Sequence, residues 1–79
     1  MKAADNMIVD KDGLILQTIG KNVKTNRMRL KLTQSEFADK AMIHRNYVCK
    51  IENGQVNPSI LLLLKIVEVL EIEMNDLLT

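Results

Sequence analysis

Two short helix signals lie close together near the middle of this 79-residue chain. The first begins at Thr33, which stands three residues before Glu36, a spacing that is typical of the reciprocal cap at a helix start. The second places Val48 and Ile51 at helical spacing and ends at the turn signal Asn53-Gly54. Each segment has room for only about two turns. Two short helices with a tight connection are the pattern of a helix-turn-helix unit.

A longer helix is expected before this pair. Its signal is a set of apolar residues that recur at helical spacing, namely Ile15, Ile19, Val23 and Leu30. This pattern predicts a helix over residues 14–30. Because the preceding residues lack periodicity and the chain is short, we expect residues 1–12 to form a tail and residues 13–79 to form one domain.

Two further helices are expected after the pair. Pro58 favours an extended backbone and Ser59 is a good N-cap, so a helix is predicted over residues 60–70. The remaining residues predict a short last helix that carries Met74, Leu77 and Leu78. The expected fold class is therefore all-α, with five helices.

The charge of the chain is unevenly distributed. Residues 20–50 contain eight Lys or Arg against two Asp or Glu, whereas residues 51–79 contain one basic residue against five acidic ones. A basic third within a small domain favours a polyanionic partner over an evenly solvated surface. A single cysteine cannot form a disulfide within the chain, and no apolar run approaches the roughly 20 residues that cross a bilayer. These features predict a cytoplasmic protein without a membrane partner.

The only histidine and the only cysteine lie in the second short segment, at His44 and Cys49. Residues five apart on a helix are separated by about 500° of rotation, so their side chains do not share a face. A structural zinc ion needs four ligands, and no further His or Cys is available. Nucleophilic Cys–His catalysis fails for the same geometric reason. We therefore predict no metal site, no catalytic residue, no cofactor and no enzymatic activity.

The stretch LTQSEFADKAMIHRNYVCKIENGQVNPS, residues 32–59, resembles the XRE family of helix-turn-helix proteins, the group of small phage repressors and Cro. That family reads L-T-Q-x-x-L-A, a small turn, a polar recognition helix ending in I-E-x-G, and then N-P-S. The resemblance extends over about residues 19–78. It implies a five-helix, lambda-repressor-like DNA-binding domain whose second and third helices form the helix-turn-helix.

The resemblance also implies roles for individual residues. Arg45, Asn46 and Lys50 match recognition-helix positions that enter the major groove of double-stranded DNA, where arginine can read guanine and asparagine can read adenine. Gln34 matches a residue that binds phosphate or braces the recognition helix. His44, Tyr47, Asn53 and Gln55 match backbone-contacting positions. Because helix N-termini favour anions, the backbone amides of Thr33 and Gln34 are also expected to donate to DNA phosphates. Arg27 and Glu52 match an ion pair that joins the first helix to the recognition helix.

The chain departs from the family pattern at three positions. Met42 stands where the turn commonly has glycine, so a left-handed backbone there would cost roughly 1–2 kcal/mol. His44 stands where serine or threonine often caps the recognition helix, which predicts a poorer cap and leaves the start of this helix open. Cys49 replaces a small polar residue.

Helices 4 and 5 carry more apolar residues than one core-facing stripe requires. The surplus is Leu61, Leu64, Met74, Leu77 and Leu78. These residues could thicken the core of a small domain, but their number and the family resemblance favour a homodimer interface. A twofold dimer would place two recognition helices roughly 34 Å apart and would read a palindromic operator.

Sequence-specific DNA binding by a transcriptional regulator is the function that these features predict. The R-x-Y pattern of residues 45–47 is similar to that of controller proteins of restriction–modification systems. A phage-type repressor or an antitoxin is the alternative within the same fold. A protein-interaction module that uses the apolar face of helices 4 and 5 is the alternative from another class. No effector domain is evident, so no small-molecule effector is expected.

Overall fold

The computed structural model describes Asp10 and residues 13–79, and these residues form five α-helices. The helices are α1 (Leu14–Arg29), α2 (Gln34–Ala41), α3 (Arg45–Glu52), α4 (Ile60–Leu70) and α5 (Met74–Leu78). The all-α prediction is therefore confirmed for these residues, with α1 ending one residue earlier than expected. The rest of the predicted tail lies outside the described residues. Within the described part, none of the helices combines the length and the hydropathy needed to span a bilayer.

Side-chain caps start α2 and α4 where the sequence predicts them. The Thr33 hydroxyl accepts a hydrogen bond from the Glu36 N–H at 3.0 Å, and the Glu36 carboxylate accepts one from the Thr33 N–H at 2.8 Å. The backbone hydrogen bond from Thr33, followed by the bond to its side chain, lowers the pKa of Glu36. The bond to the Glu36 carboxylate is therefore fully formed at neutral pH and weakens as the pH falls through that lowered pKa, whereas the bond to the Thr33 hydroxyl does not involve the titrating group. Ser59 caps α4 by accepting from the Leu62 N–H at 3.1 Å.

The start of α1 is held by a residue from the predicted tail. The carboxylate of Asp10 accepts hydrogen bonds from the backbone N–H groups of Ile15, at 2.7 Å, and Leu16, at 3.0 Å. The backbone of Gly13 is left-handed, with φ 67°, a conformation that glycine adopts readily. This turn of the chain brings the Asp10 carboxylate to the start of α1. The carboxylate of Asp10 therefore satisfies two of the backbone N–H groups that lack a partner within the first turn of α1.

Helix α1 contacts α3, α4 and α5, while α2 packs against α3 and α4. The core between them contains five large side chains that are essentially inaccessible, namely Phe37, Ile51, Ile66, Leu70 and Leu77. Leu77 was expected at the dimer interface, and this assignment needs correction. Its side chain points into the monomer core with no exposed surface, because α5 folds back against α1 and α4.

Two side chains of α1 hold the ends of the last two helices. Arg29 donates from Nη2 to the carbonyl oxygen of Leu70 at 2.9 Å, and Asn22 donates from Nδ2 to that of Leu77 at 2.8 Å. The carbonyl groups in the last turn of a helix lack partners within the helix, and its C-terminus favours a positive charge. Arg29, one of the basic residues within residues 20–50, therefore also joins α1 to α4.

The turn between α2 and α3 has the left-handed backbone that the family pattern favours for glycine. Met42 adopts φ 58° and ψ 42°, and its side chain is 81% exposed. A residue with a Cβ in this region carries a strain of roughly 1–2 kcal/mol. The hydrogen bonds of the turn offset part of this strain, because the Ile43 N–H binds the Ala38 carbonyl at 3.0 Å and closes the end of α2.

Candidate nucleic-acid interface

Helix α3 has one buried side and one exposed polar side. Val48 and Ile51 have 0% and 1% exposure, so they fix the helix against the core. The side chains of Arg45, Asn46 and Lys50 are exposed on the other side of the helix. This amphipathic helix therefore presents two positive charges and an amide on a surface anchored from beneath.

The imidazole of His44 caps α3. Its Nδ1 accepts a hydrogen bond from the Asn46 N–H at 3.1 Å, and its backbone is extended, with φ −73° and ψ 142°. This is the geometry that serine or asparagine adopts at an N-cap. The sequence did not determine where this helix starts. In the structure the His44 ring caps it, so α3 begins at Arg45.

A buried ion pair joins α1 to the end of α3. Arg27 Nε lies 2.7 Å from Glu52 Oε2, and Arg27 Nη2 lies 3.2 Å from Glu52 Oε1. The two side chains are only 10% and 3% exposed. The remaining nitrogen of the guanidinium, Nη1, donates to the carbonyl oxygen of Leu32 at 2.7 Å. The charges are thus both paired and hydrogen-bonded, which is the condition for tolerating them in a protein interior.

Gln34 extends this ion-pair network to α2. Its Nε2 donates to Glu52 Oε1 at 3.1 Å, so the amide braces the recognition helix. The Thr33 N–H already binds Glu36, whereas the backbone N–H groups of Gln34 and Ser35 have no acceptor among the described residues. These two groups are the donors that the start of α2 can offer to an anion.

Close contact between α1 and the end of α3 depends on Gly20, which sequence reasoning overlooked. A Cβ atom at this position would lie 2.4 Å from the carbonyl oxygen of Ile51 and 2.7 Å from that of Glu52. Both are backbone atoms, so neither can move away as a flexible side chain would. A glycine within a helical pattern often has such a packing reason, and this was the available signal.

The other residues predicted to contact the DNA backbone have different environments. Tyr47 is half-buried and packs against the core, while Gln55 is exposed. The side chain of Asn53 donates to the Cys49 sulfur at 3.5 Å. Cys49, which the sequence excludes as a metal ligand, is partly exposed on α3. Its thiol lies on the same helix as the exposed side chains of Arg45, Asn46 and Lys50. Within Asp10 and residues 13–79, no cluster of three or more His, Cys, Asp or Glu could hold a metal ion.

Four large apolar side chains are exposed on α4 and α5, apart from the core stripe. They are Ile60 at 67%, Leu61 at 78%, Leu64 at 49% and Leu78 at 48% exposure. Met74, also predicted for an interface, is partly buried against the core. Ile60 belongs to the exposed set although it was not among the interface candidates.

A polar, basic recognition helix that is braced by the preceding helices defines a DNA-binding transcriptional regulator. The chain belongs to the helix-turn-helix family of XRE type, because residues 23–77 match the family's sequence pattern. The class predicted from the sequence is thereby confirmed.

Solved structures of two restriction-modification controller proteins are similar to this chain. One is C.AhdI from Aeromonas hydrophila, with 32% identity, a TM-score of 0.75, and coverage of 78% of this chain and 94% of that one. The second controller protein has 27% identity, a TM-score of 0.73, and coverage of 81% and 86%. The chain is also 42% identical over 43 residues to the immunity repressor protein of Bacillus phage phi105. This match covers 54% of the chain but only 30% of the repressor's length.

Proposed function

We propose that this protein is the controller of a restriction–modification system and binds a palindromic operator as a homodimer. The exposed polar face of α3, fixed to α1 and α2 by the Arg27–Glu52–Gln34 network, is the observation that carries DNA reading. The controller role is supported by similarity to two controller proteins and by the R-x-Y pattern at residues 45–47. Such a role requires no catalytic residue or cofactor and is exercised in the cytoplasm.

Base reading is assigned to Arg45, Asn46 and Lys50. The guanidinium of Arg45 can donate two hydrogen bonds to guanine O6 and N7, and the amide of Asn46 can pair with adenine N6 and N7. Lys50 lies about one turn farther along α3 and can reach a base or a phosphate. The proposed phosphate contacts, which set the register of the protein on DNA, come from Gln34, His44, Tyr47, Asn53 and Gln55, but not from the Thr33 amide, which is already bound to Glu36.

Arg45→Ala is expected to reduce operator affinity by about 1–3 kcal/mol and to relax the preference at one base pair in each half-site. The reason is the loss of a bidentate contact to a base edge. Binding of the wild type and the variant should be measured on a selected palindrome and on the same palindrome with each base pair changed. Lys24→Ala is the matched control, since it removes one exposed positive charge from α1 and leaves α3 intact.

An equal loss of affinity on every DNA sequence would show that Arg45 contacts a phosphate instead of a base. The salt dependence provides a second readout. A protein with six to ten phosphate contacts loses about 10³–10⁵ in affinity between 50 and 200 mM salt. If selection yields no preferred sequence, or if binding does not depend on salt, the proposal of sequence-specific DNA binding is wrong.

The dimer is proposed to form through the exposed apolar side chains of α4 and α5, which are Ile60, Leu61, Leu64 and Leu78. Apolar groups this exposed gain free energy when a second copy covers them, at about 25 cal/mol per Å² of buried surface. In this arrangement residues 13–79 would combine DNA binding and dimerisation in one domain.

Leu61→Glu is expected to convert the dimer into a monomer, because each copy would then bury a charge at the interface. Sedimentation at micromolar concentration without DNA provides the measurement. Met42→Glu is the matched control, since Met42 is as exposed as Leu61, at 81% against 78%, but lies in the turn before α3. A wild-type chain that sediments as a monomer and binds DNA as a monomer would rule out the dimer.

A phage-type repressor is the second candidate, because the match to the phage phi105 repressor includes part of the same domain. An adjacent methyltransferase and endonuclease gene would support the controller role. Their absence beside an operator that the protein still binds would favour a repressor.

A further inference from the structure

The hydrogen bond at the start of α3 determines which form of His44 the folded protein contains. Nδ1 accepts from the Asn46 N–H at 3.1 Å, so this nitrogen carries no proton. In a neutral imidazole the proton then resides on Nε2. The ring is exposed, which leaves the Nε2–H group at the surface that also carries Arg45 and Asn46.

We propose that His44 is a positioning residue for DNA reading and that it acts only as the neutral, Nε2-protonated imidazole. The proposal rests on the DNA-binding function given above and deepens it. The cap fixes the first turn of α3, and this turn contains Arg45 and Asn46, two of the three residues assigned to the bases. If this first turn frays, neither side chain is held in the position that base contacts require.

Protonation of the ring would remove the cap for two reasons. An imidazolium ion has two N–H donors and no acceptor, so the bond from the Asn46 N–H is lost. A positive charge at the N-terminus of a helix is also opposed by the helix dipole. Histidine changes charge between pH 5 and 8 more readily than other side chains, and this chain contains only one.

No acidic side chain in the described residues forms an ion pair with His44. The helices packed against α3 are α1 and α2. From α1, Arg27 is paired with Glu52 at the opposite end of α3. From α2, Glu36 binds Thr33, and Asp39 and Lys40 form no hydrogen bond or ion pair with the ring among these residues. Arg45 follows on α3 itself and carries the same sign of charge as an imidazolium ion, so it cannot form an ion pair with the ring.

This role predicts a pH dependence opposite to that of an ordinary histidine–phosphate contact. A histidine that binds phosphate through its charge strengthens binding in acid. A histidine that caps the recognition helix as a neutral ring weakens binding in acid, because the fraction of protein with an ordered first turn falls.

The experiment compares operator affinity at pH 7.5 and 5.5 for the wild type, His44→Asn and His44→Ala. Asparagine keeps a side-chain acceptor that does not titrate in this range, while alanine removes the acceptor. At pH 7.5 we expect His44→Asn, which keeps a side-chain cap, to bind about five- to tenfold more tightly than His44→Ala, which has none. At pH 5.5 the wild type should lose about three- to fivefold relative to His44→Asn.

A wild type that gains affinity relative to His44→Asn in acid would overturn the proposal and identify the ring as a cationic phosphate ligand. Nitrogen-15 spectra of the imidazole provide a readout without DNA. A proton on Nδ1 at pH 7.5 would also overturn the proposal. If no variant binds any operator while the spectra show Nε2–H, the proposed DNA-binding function has failed and His44 remains only a helix cap.

Discussion

Glu52→Leu is expected to destabilise the domain by about 3–5 kcal/mol, the largest effect we predict for a single substitution. The variant leaves the guanidinium of Arg27 buried without its partner, because this side chain is only 10% exposed. The amide of Gln34 loses its acceptor as well. Small domains have a total stability of about 5–15 kcal/mol, so the variant should unfold at a much lower urea concentration.

The double variant Arg27→Met/Glu52→Leu is the control for this prediction. It removes both charges and fills the space with apolar side chains, which is often neutral or stabilising. We therefore expect it to recover most of the stability lost in Glu52→Leu. If the double variant is no more stable than Glu52→Leu, the loss comes from the shape of the site and the unpaired charge is not its cause.

Gly20→Ala is expected to lower the free energy of unfolding by about 2–3 kcal/mol, against the usual preference of helices for alanine. The added Cβ would lie 2.4 Å from the carbonyl oxygen of Ile51, so α1 and α3 must separate. The same displacement would stretch the Arg27–Glu52 pair, which joins these two helices. DNA affinity should therefore fall even at temperatures where the variant remains folded.

Urea titration and operator binding of Gly20→Ala should be compared with Thr25→Ala. Thr25 lies on the same helix but is exposed, so its substitution tests helix propensity without a steric clash. We expect Thr25→Ala to be neutral or slightly stabilising. A Gly20→Ala protein as stable as the wild type would mean that the approach of the two helices is not a constraint on the fold.

The predictable part of the fold is encoded by signals that are local in the chain. The Thr33–Glu36 cap, the Ser59 cap and the apolar spacing within each helix involve residues three or four positions apart. Such neighbours meet whenever a helix forms, irrespective of the rest of the molecule. For this reason all five helices were predicted, and the bounds predicted for α1 and α4 agree with the structure to within one residue.

The buried and exposed sides of α3 also follow from spacing. Val48 and Ile51 lie three residues apart and face the core, so Arg45, Asn46 and Lys50 remain for the opposite side. The assignment of these three residues to base contacts still rests on family resemblance. Spacing alone identifies an exposed polar face, but it does not identify the molecule that this face contacts.

Contacts between segments far apart in the chain were decided by the tertiary structure alone. These are the close approach of Gly20 to the backbone of Ile51 and Glu52, the bond from Gln34 to Glu52, the bond from Arg29 to Leu70 and the burial of Leu77. Each depends on the distance and angle between two helices, which arise from the packing of the whole core. The sequence by itself thus determined where the helices lie, apart from the start of α3, and which side of α3 faces solvent. Only the packed structure decided which polar groups brace that helix and which apolar groups remain for a second copy.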